Sequence, residues 1–126
     1  YSGKAINITK TTAAHAFSYH LTSKYGIPHG QAVGLLIGWV FQENLKVSDN
    51  NCNDPRGAVF VRQRLVEIKQ ILKIERDEDI TLYFQKMNKR LGLQSERFSL
   101  TRETIKELML VVNQERLSNN PIKIEA

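Results

Sequence analysis

The sequence predicts an all-α fold, a multihelical bundle of about five helices forming one domain over residues 1–126. Three observations carry that prediction. Apolar residues recur at three- and four-residue spacing along almost the whole chain, which is the period of a helix packed on one side. No segment alternates apolar and polar residues as a strand would, and no internal repeat recurs at solenoid spacing. Gly26, Pro28, Gly92 and the "SDNNCNDP" stretch then divide the periodic segments at plausible helix lengths.

The first helix is predicted over residues 9–24, where the alanines, Phe17 and Leu21 share one face, although the β-branched cluster of residues 8–12 lowers its propensity to start there. Gly26 ends it, and Pro28 blocks continuation while pushing Ile27 into an extended shape. His29 opens the second helix, which runs to Asn44 and is apolar on nearly every face, so it should be the buried centre. Within it Gly30, Gly34 and Gly38 recur every four residues, a spacing that suits close helix–helix packing better than phosphate binding. Residues 47–54 read as a loop, with Asp54 as N-cap and Pro55 at the first position of a third helix ending near Lys73. Phe60, Leu65, Ile68, Ile71 and Leu72 form its expected inward face. A fourth helix covers residues 77–91, with acids at its start, Lys89 and Arg90 in its last turn and Gly92 as its stop. Thr101 caps a fifth, with Ile105, Leu108, Met109, Val112 and Leu117 as its stripe, ending at "SNNP".

Composition narrows the function classes. Hydrophobic residues at 41% and charged residues at 25% describe a globular chain rather than a disordered one. The longest apolar run, "AVGLLIGWVF", is about half of a bilayer span, so no membrane role is predicted. A net charge of +5 permits contact with anions, but in "RQRLVEIKQILKIERDED" the bases and acids interleave as on a solvated helix face. No nucleic-acid partner is therefore expected. The first twenty residues lack a charged leader and an apolar stretch of the right length, so no targeting signal is expected, and the lone Cys52 suits a reducing, cytoplasmic location. The absence of an initiator Met at Tyr1 suggests a fragment or a processed chain.

All three histidines fall within residues 15–30, "HAFSYHLTSKYGIPHG". His15 lies inside one helix and His29 begins the next, and the "YGIP" turn folds the two helices together, so the rings could meet. Two neutral imidazoles at one point are donors for zinc or ferrous iron, with carboxylate, further His or water completing the sphere. No third ligand is evident. His20 lies about 140° round the helix from His15 and is expected at the surface. The alternative is that both histidines merely cap and pack a tight corner. Other catalytic signatures are missing: Cys52 has no neighbouring base, and there is no Gly-x-Ser-x-Gly elbow or phosphate-binding glycine loop.

The passage "TTAAHAFSYHLTSKYGIPHGQAV" resembles the metal-site segment of the iron-containing alcohol dehydrogenases, whose C-terminal helical domain shares its fold type with the dehydroquinate synthase-like enzymes. The preceding "GKAINITKTTAAHAFSY" is similar to the branch that reduces phosphonoacetaldehyde, and "RLSNNPIKI" resembles the family's C-terminal end. The resemblance implies an NAD(P)-linked reductase or dehydrogenase in which Fe2+ or Zn2+ polarises the carbonyl oxygen while hydride arrives from nicotinamide. It makes His15 and His29 the two metal ligands of this segment, with an Asp and a His from upstream as the others. Four residues after the first ligand many members carry a His beside the cofactor, and here that cofactor-side position is Tyr19. Lys10, Thr11 and Thr12 would offer ammonium and hydroxyl donors to an anionic substrate tail, unless they simply start the helix.

The family's nucleotide-binding N-terminal α/β domain is the implied partner, alongside a small aldehyde or alcohol substrate, and a homo-oligomer is compatible with this reading. The chain on its own is expected to be catalytically silent and to hold metal poorly. The competing expectation is a non-enzymatic helical interaction module whose histidines are structural.

Overall fold

The computed structural model describes residues 1–93 and 96–125, and within them the chain forms seven helices and no strand. They are α1 (Ser2–Ile6), α2 (Ala13–Tyr25), α3 (His29–Asn44), α4 (Ala58–Leu72), α5 (Asp79–Arg90), α6 (Arg102–Val111) and α7 (Gln114–Leu117). The all-α prediction holds. The second predicted helix matches α3 at both ends, and the fourth differs from α5 only at its margins.

Four differences have local causes. Thr12 is extended, with φ −111° and ψ −160°, so residues 10–12 lead into α2 as open chain, as β-branched Thr11 and Thr12 favour. Asp54 does not cap α4. Its Oδ1 accepts the Arg56 backbone N–H at 2.9 Å in a separate turn, and Gly57 at φ +87° lies outside helical space, so α4 starts at Ala58 rather than Pro55. Along α4, Leu65 is buried and Leu72 half-buried, but Ile71 is 79% exposed and Ile68 also faces outward, so the apolar face is narrower than predicted. The predicted fifth helix is two. Val112 turns extended, and the Asn113 side chain accepts the Arg116 N–H at 2.9 Å to begin α7. Thr101 caps α6 as predicted, within a reciprocal pair with Thr104.

Helix α3 is the hub, packed against α2 on one side and α5 on another. It buries Ala32, Leu36, Val40 and Phe41, while Val33 and Ile37 stay half-exposed because they line a cleft rather than a neighbouring helix. Gly38 lets α5 approach: a Cβ there would stand 3.0 Å from Phe84 Cβ. Gly34 also faces α5, through Asn88, but Gly30 meets nothing within 4 Å, so the glycine stripe is a packing device over its second half only. The C-terminal segment returns across the molecule. Ile122 and Ile124 are buried, a single antiparallel bridge joins Cys52 to Ile122, and the Asn53 N–H reaches the Pro121 carbonyl at 2.9 Å. Beneath it the buried Asn120 Nδ2 donates to Asn44 Oδ1 at 2.7 Å and to the Ile122 carbonyl at 2.9 Å, tying the tail to the end of α3.

The glycines give a paired test. Gly38→Ala should destabilise the fold by about 1 kcal/mol net, because overpacking against Phe84 costs about 1–3 kcal/mol and exceeds the helix-propensity gain of about 1 kcal/mol. Gly30→Ala should be neutral or mildly stabilising. Urea midpoints of the two variants check the difference, and equal midpoints would contradict the packing role of Gly38.

Candidate metal centre

The site is built by one corner. Gly26 takes the left-handed conformation, φ +65°, that closes α2, and its N–H bonds to the Thr22 carbonyl at 3.1 Å. Ile27 is buried and anchors the turn in the core. Pro28, extended at ψ 138°, then caps α3 and lets it return alongside α2. His15, third residue of α2, and His29, first of α3, thereby face each other with ring centroids 5.4 Å apart and planes inclined by 59°.

The electrostatics favour a neutral His15 ring. Burial lowers the His15 pKa below its ordinary value, and the charge His29 would carry lowers it further. Imidazole binds metal in its neutral form. Beside the pair, the fully buried Ser18 hydroxyl lies 2.8 Å from the His15 carbonyl and 3.1 Å from His29 Nδ1. Tyr19 is half-exposed, its ring 5.3 Å from that of His29, and the Arg116 guanidinium lies over the Tyr19 ring at 4.3 Å.

His20, expected at the surface, is only partly exposed. Its Nε2 meets Glu107 Oε1 at 2.5 Å, and Lys24 and Tyr25 reach the same carboxylate. The Lys24 and His20 contacts lower the Glu107 pKa to about 2. This cluster joins α2 to α6 and takes His20 out of contention as a metal donor.

Lys10, Thr11, Thr12 and His15 line one cleft of about 480 Å³, with Ile37, Phe41 and Phe60 among its apolar walls. Arg56 and Arg64 also line it, and both guanidiniums lie over the Phe60 ring, at 4.0 and 5.3 Å. Arg56 is neutralised by Asp54, whose pKa the side-chain and backbone bonds from Arg56 lower to about 2, and Arg64 pairs with Glu67 at 2.6 Å. Lys10 has no such carboxylate partner among the described residues. A larger depression, about 770 Å³ along α4, contains neither ring of the histidine pair.

The structure thus brings together His15, His29 and Tyr19, and places Lys10, Thr11 and Thr12 in the cleft that His15 also lines. Sequence reading missed Ser18, Glu107, Arg116, Arg56 and Arg64. Ser18 had a signal, since it sits three residues after His15 on the face that carries Phe17 and Leu21. Glu107 and Arg116 had none. Among the described residues no group of three or more His, Cys, Asp or Glu side chains comes together. The donor set fits two positions of a tetrahedral or octahedral ion and leaves the others to groups from elsewhere.

Comparison with known proteins decides the family. The pattern described as "Fe-containing alcohol dehydrogenase family, C-terminal" matches residues 1–125. The chain belongs to the Fe-containing alcohol dehydrogenase family. Phosphonoacetaldehyde reductase of Streptomyces viridochromogenes is 42% identical over 65 residues, which cover 52% of this chain and 16% of that protein. The chain therefore spans only a small part of the length of that relative. No solved structure matches it. For a C-terminal Fe-containing alcohol dehydrogenase segment, an all-helical bundle without a strand among the described residues is the fitting architecture. No helix among those residues is long and apolar enough to cross a membrane.

The Glu107 cluster predicts an acid dependence. A carboxylate whose folded pKa is depressed from 4.5 to about 2 adds stability that is complete above 4.5 and is lost as pH falls through about 2. The stability difference between the parent chain and Glu107→Gln, followed by denaturant unfolding, should shrink across that window. A difference that is constant with pH would contradict the ion cluster.

Proposed function

We propose that this chain is the metal- and substrate-binding half of an NAD(P)-linked reductase or alcohol dehydrogenase for small aldehydes with an anionic tail, phosphonoacetaldehyde foremost. The observation that carries the proposal is the His15–His29 pair, two imidazoles 5.4 Å apart on different helices beside an open cleft. His15 and His29 are the two ligands this chain contributes, and an Asp and a His from upstream of this segment complete the sphere. Fe2+ or Zn2+ held there supplies Lewis-acid polarisation of a carbonyl oxygen toward hydride transfer from nicotinamide.

The chain's own residues divide the remaining work. Lys10, with Thr11 and Thr12, holds the anionic tail by charge-assisted hydrogen bonds at the cleft. The apolar walls formed by Ile37 and Phe41 keep water from the substrate body and strengthen those bonds. Tyr19, half-exposed beside His29, offers its ring to the cofactor. The 42% identity to a phosphonoacetaldehyde reductase supports the substrate class, and the free Cys52 thiol supports a reducing, cytoplasmic location.

Three experiments test this. The protein extended to include the upstream domain should bind Fe2+ or Zn2+ one to one, and His15→Ala or His29→Ala should each abolish that binding, read by metal analysis after dialysis. Retention in both variants would leave the histidines structural, as in an interaction module. The 126-residue chain alone should show no aldehyde-dependent oxidation of NAD(P)H, and turnover by it would overturn the two-domain reading. In the extended protein, Lys10→Ala should raise KM for phosphonoacetaldehyde about tenfold or more, as loss of one charge-assisted bond of about 1.5–3 kcal/mol implies. An uncharged aldehyde of similar size should be little affected, and equal effects would remove Lys10 from the tail site.

A further inference from the structure

We propose that Ser18 is a positioning residue that fixes which nitrogen of His29 faces the metal; the proposal rests on the reading of His29 as a ligand and deepens it. Ser18 is fully buried on α2, and its hydroxyl stands between two groups, the His15 carbonyl at 2.8 Å and His29 Nδ1 at 3.1 Å.

A serine hydroxyl has one proton to give and two lone pairs to accept with. The shorter contact has the length typical of O–H···O and the longer that of N–H···O. Ser18 therefore donates to the His15 carbonyl, the back-bond expected of a serine within a helix. Its proton is then spent, so at His29 the hydroxyl can only accept. The Nδ1 atom of His29 carries the hydrogen, and the lone pair lies on Nε2, the atom left free for coordination.

One hydroxyl thus links both histidines. It holds the His29 ring against rotation about its side-chain bonds, and it does so from the segment that carries His15. Partners of this kind on the outer nitrogen of a ligating imidazole fix its tautomer and orientation, and their loss typically costs about 10–100-fold in metal affinity. Free imidazole side chains favour the opposite tautomer, with hydrogen on Nε2, so without Ser18 the ring would have to change tautomer and reorient before binding.

Nitrogen-15 NMR of the 126-residue chain, at a pH where imidazole is neutral, reads the tautomer directly and needs no metal. The parent His29 should show hydrogen on Nδ1, and Ser18→Ala should move the population toward hydrogen on Nε2, while Ser18→Thr, which keeps the hydroxyl, should retain the parent pattern. In the extended two-domain protein Ser18→Ala should weaken zinc binding about 10–100-fold, while Ser18→Thr should bind zinc as the parent does. A parent His29 bearing hydrogen on Nε2, a tautomer insensitive to Ser18→Ala, or zinc affinity equal to that of the parent would each overturn the proposal. Zinc binding indifferent to His29→Ala would instead defeat the ligand reading while leaving the tautomer result standing, so the two failures can be told apart.

Discussion

The distance between His15 and His29 is set by a corner of three residues that cannot easily take another shape. Gly26 occupies a backbone region that costs a side-chain-bearing residue roughly 1 kcal/mol or more, Ile27 is sunk into the core, and Pro28 has its φ fixed by its ring. A looser connection would let α3 slide or rotate along α2, and a shift of one residue would carry His29 100° round its helix. The corner is therefore a geometric constraint on the site as well as a helix stop. It also keeps the two imidazoles on packed helices rather than on loops, where the pair would wander.

The same corner brings a buried hydroxyl to an exposed ring. His29 lies at the surface, yet its Nδ1 meets the fully buried Ser18 hydroxyl, which must itself find partners inside the fold. A parallel device closes the other end of α3, where Asn44 and Asn120 share a buried bond that draws the C-terminal segment across the molecule. Fixed at both ends, α3 presents Val33 and Ile37 to the cleft as a rigid wall. On the proposed reading that rigidity would matter, because metal ligands and substrate groups must be held to within a fraction of an ångström of their working positions.

Much of this was legible in the sequence because it is local. The corner follows from Gly26 and Pro28, the span of α3 from its apolar run, and the meeting of His15, near the start of α2, with His29 from the turn that folds the two helices together. What escaped is of two kinds. Around residues 54–57, the tie between Asp54 and Arg56 competes with capping, and a glycine at positive φ prevails over Pro55 as the helix boundary. The outward turn of Ile68 and Ile71 depends on where α4 meets its neighbours, which periodicity alone does not say. Glu107 reaching His20 across 87 residues, and Arg116 over Tyr19, are products of packing with no trace in spacing.

Two imidazoles by themselves make a weak and poorly selective site, since neutral donors contribute no charge to offset that of a divalent cation and lose only modest solvation by staying free. A carboxylate supplies that charge, and no carboxylate joins the pair from the described residues. The cationic character of the neighbouring cleft, with Lys10 unpaired by any carboxylate there, works against retaining a cation on this half alone. On the proposed reading the same charge would favour an anionic substrate once a carboxylate from outside had balanced the metal. The charge distribution of the chain is then that of one half of a site: two neutral donors and an unpaired ammonium here would need an anionic ligand from elsewhere before a divalent cation and an anion could be held side by side.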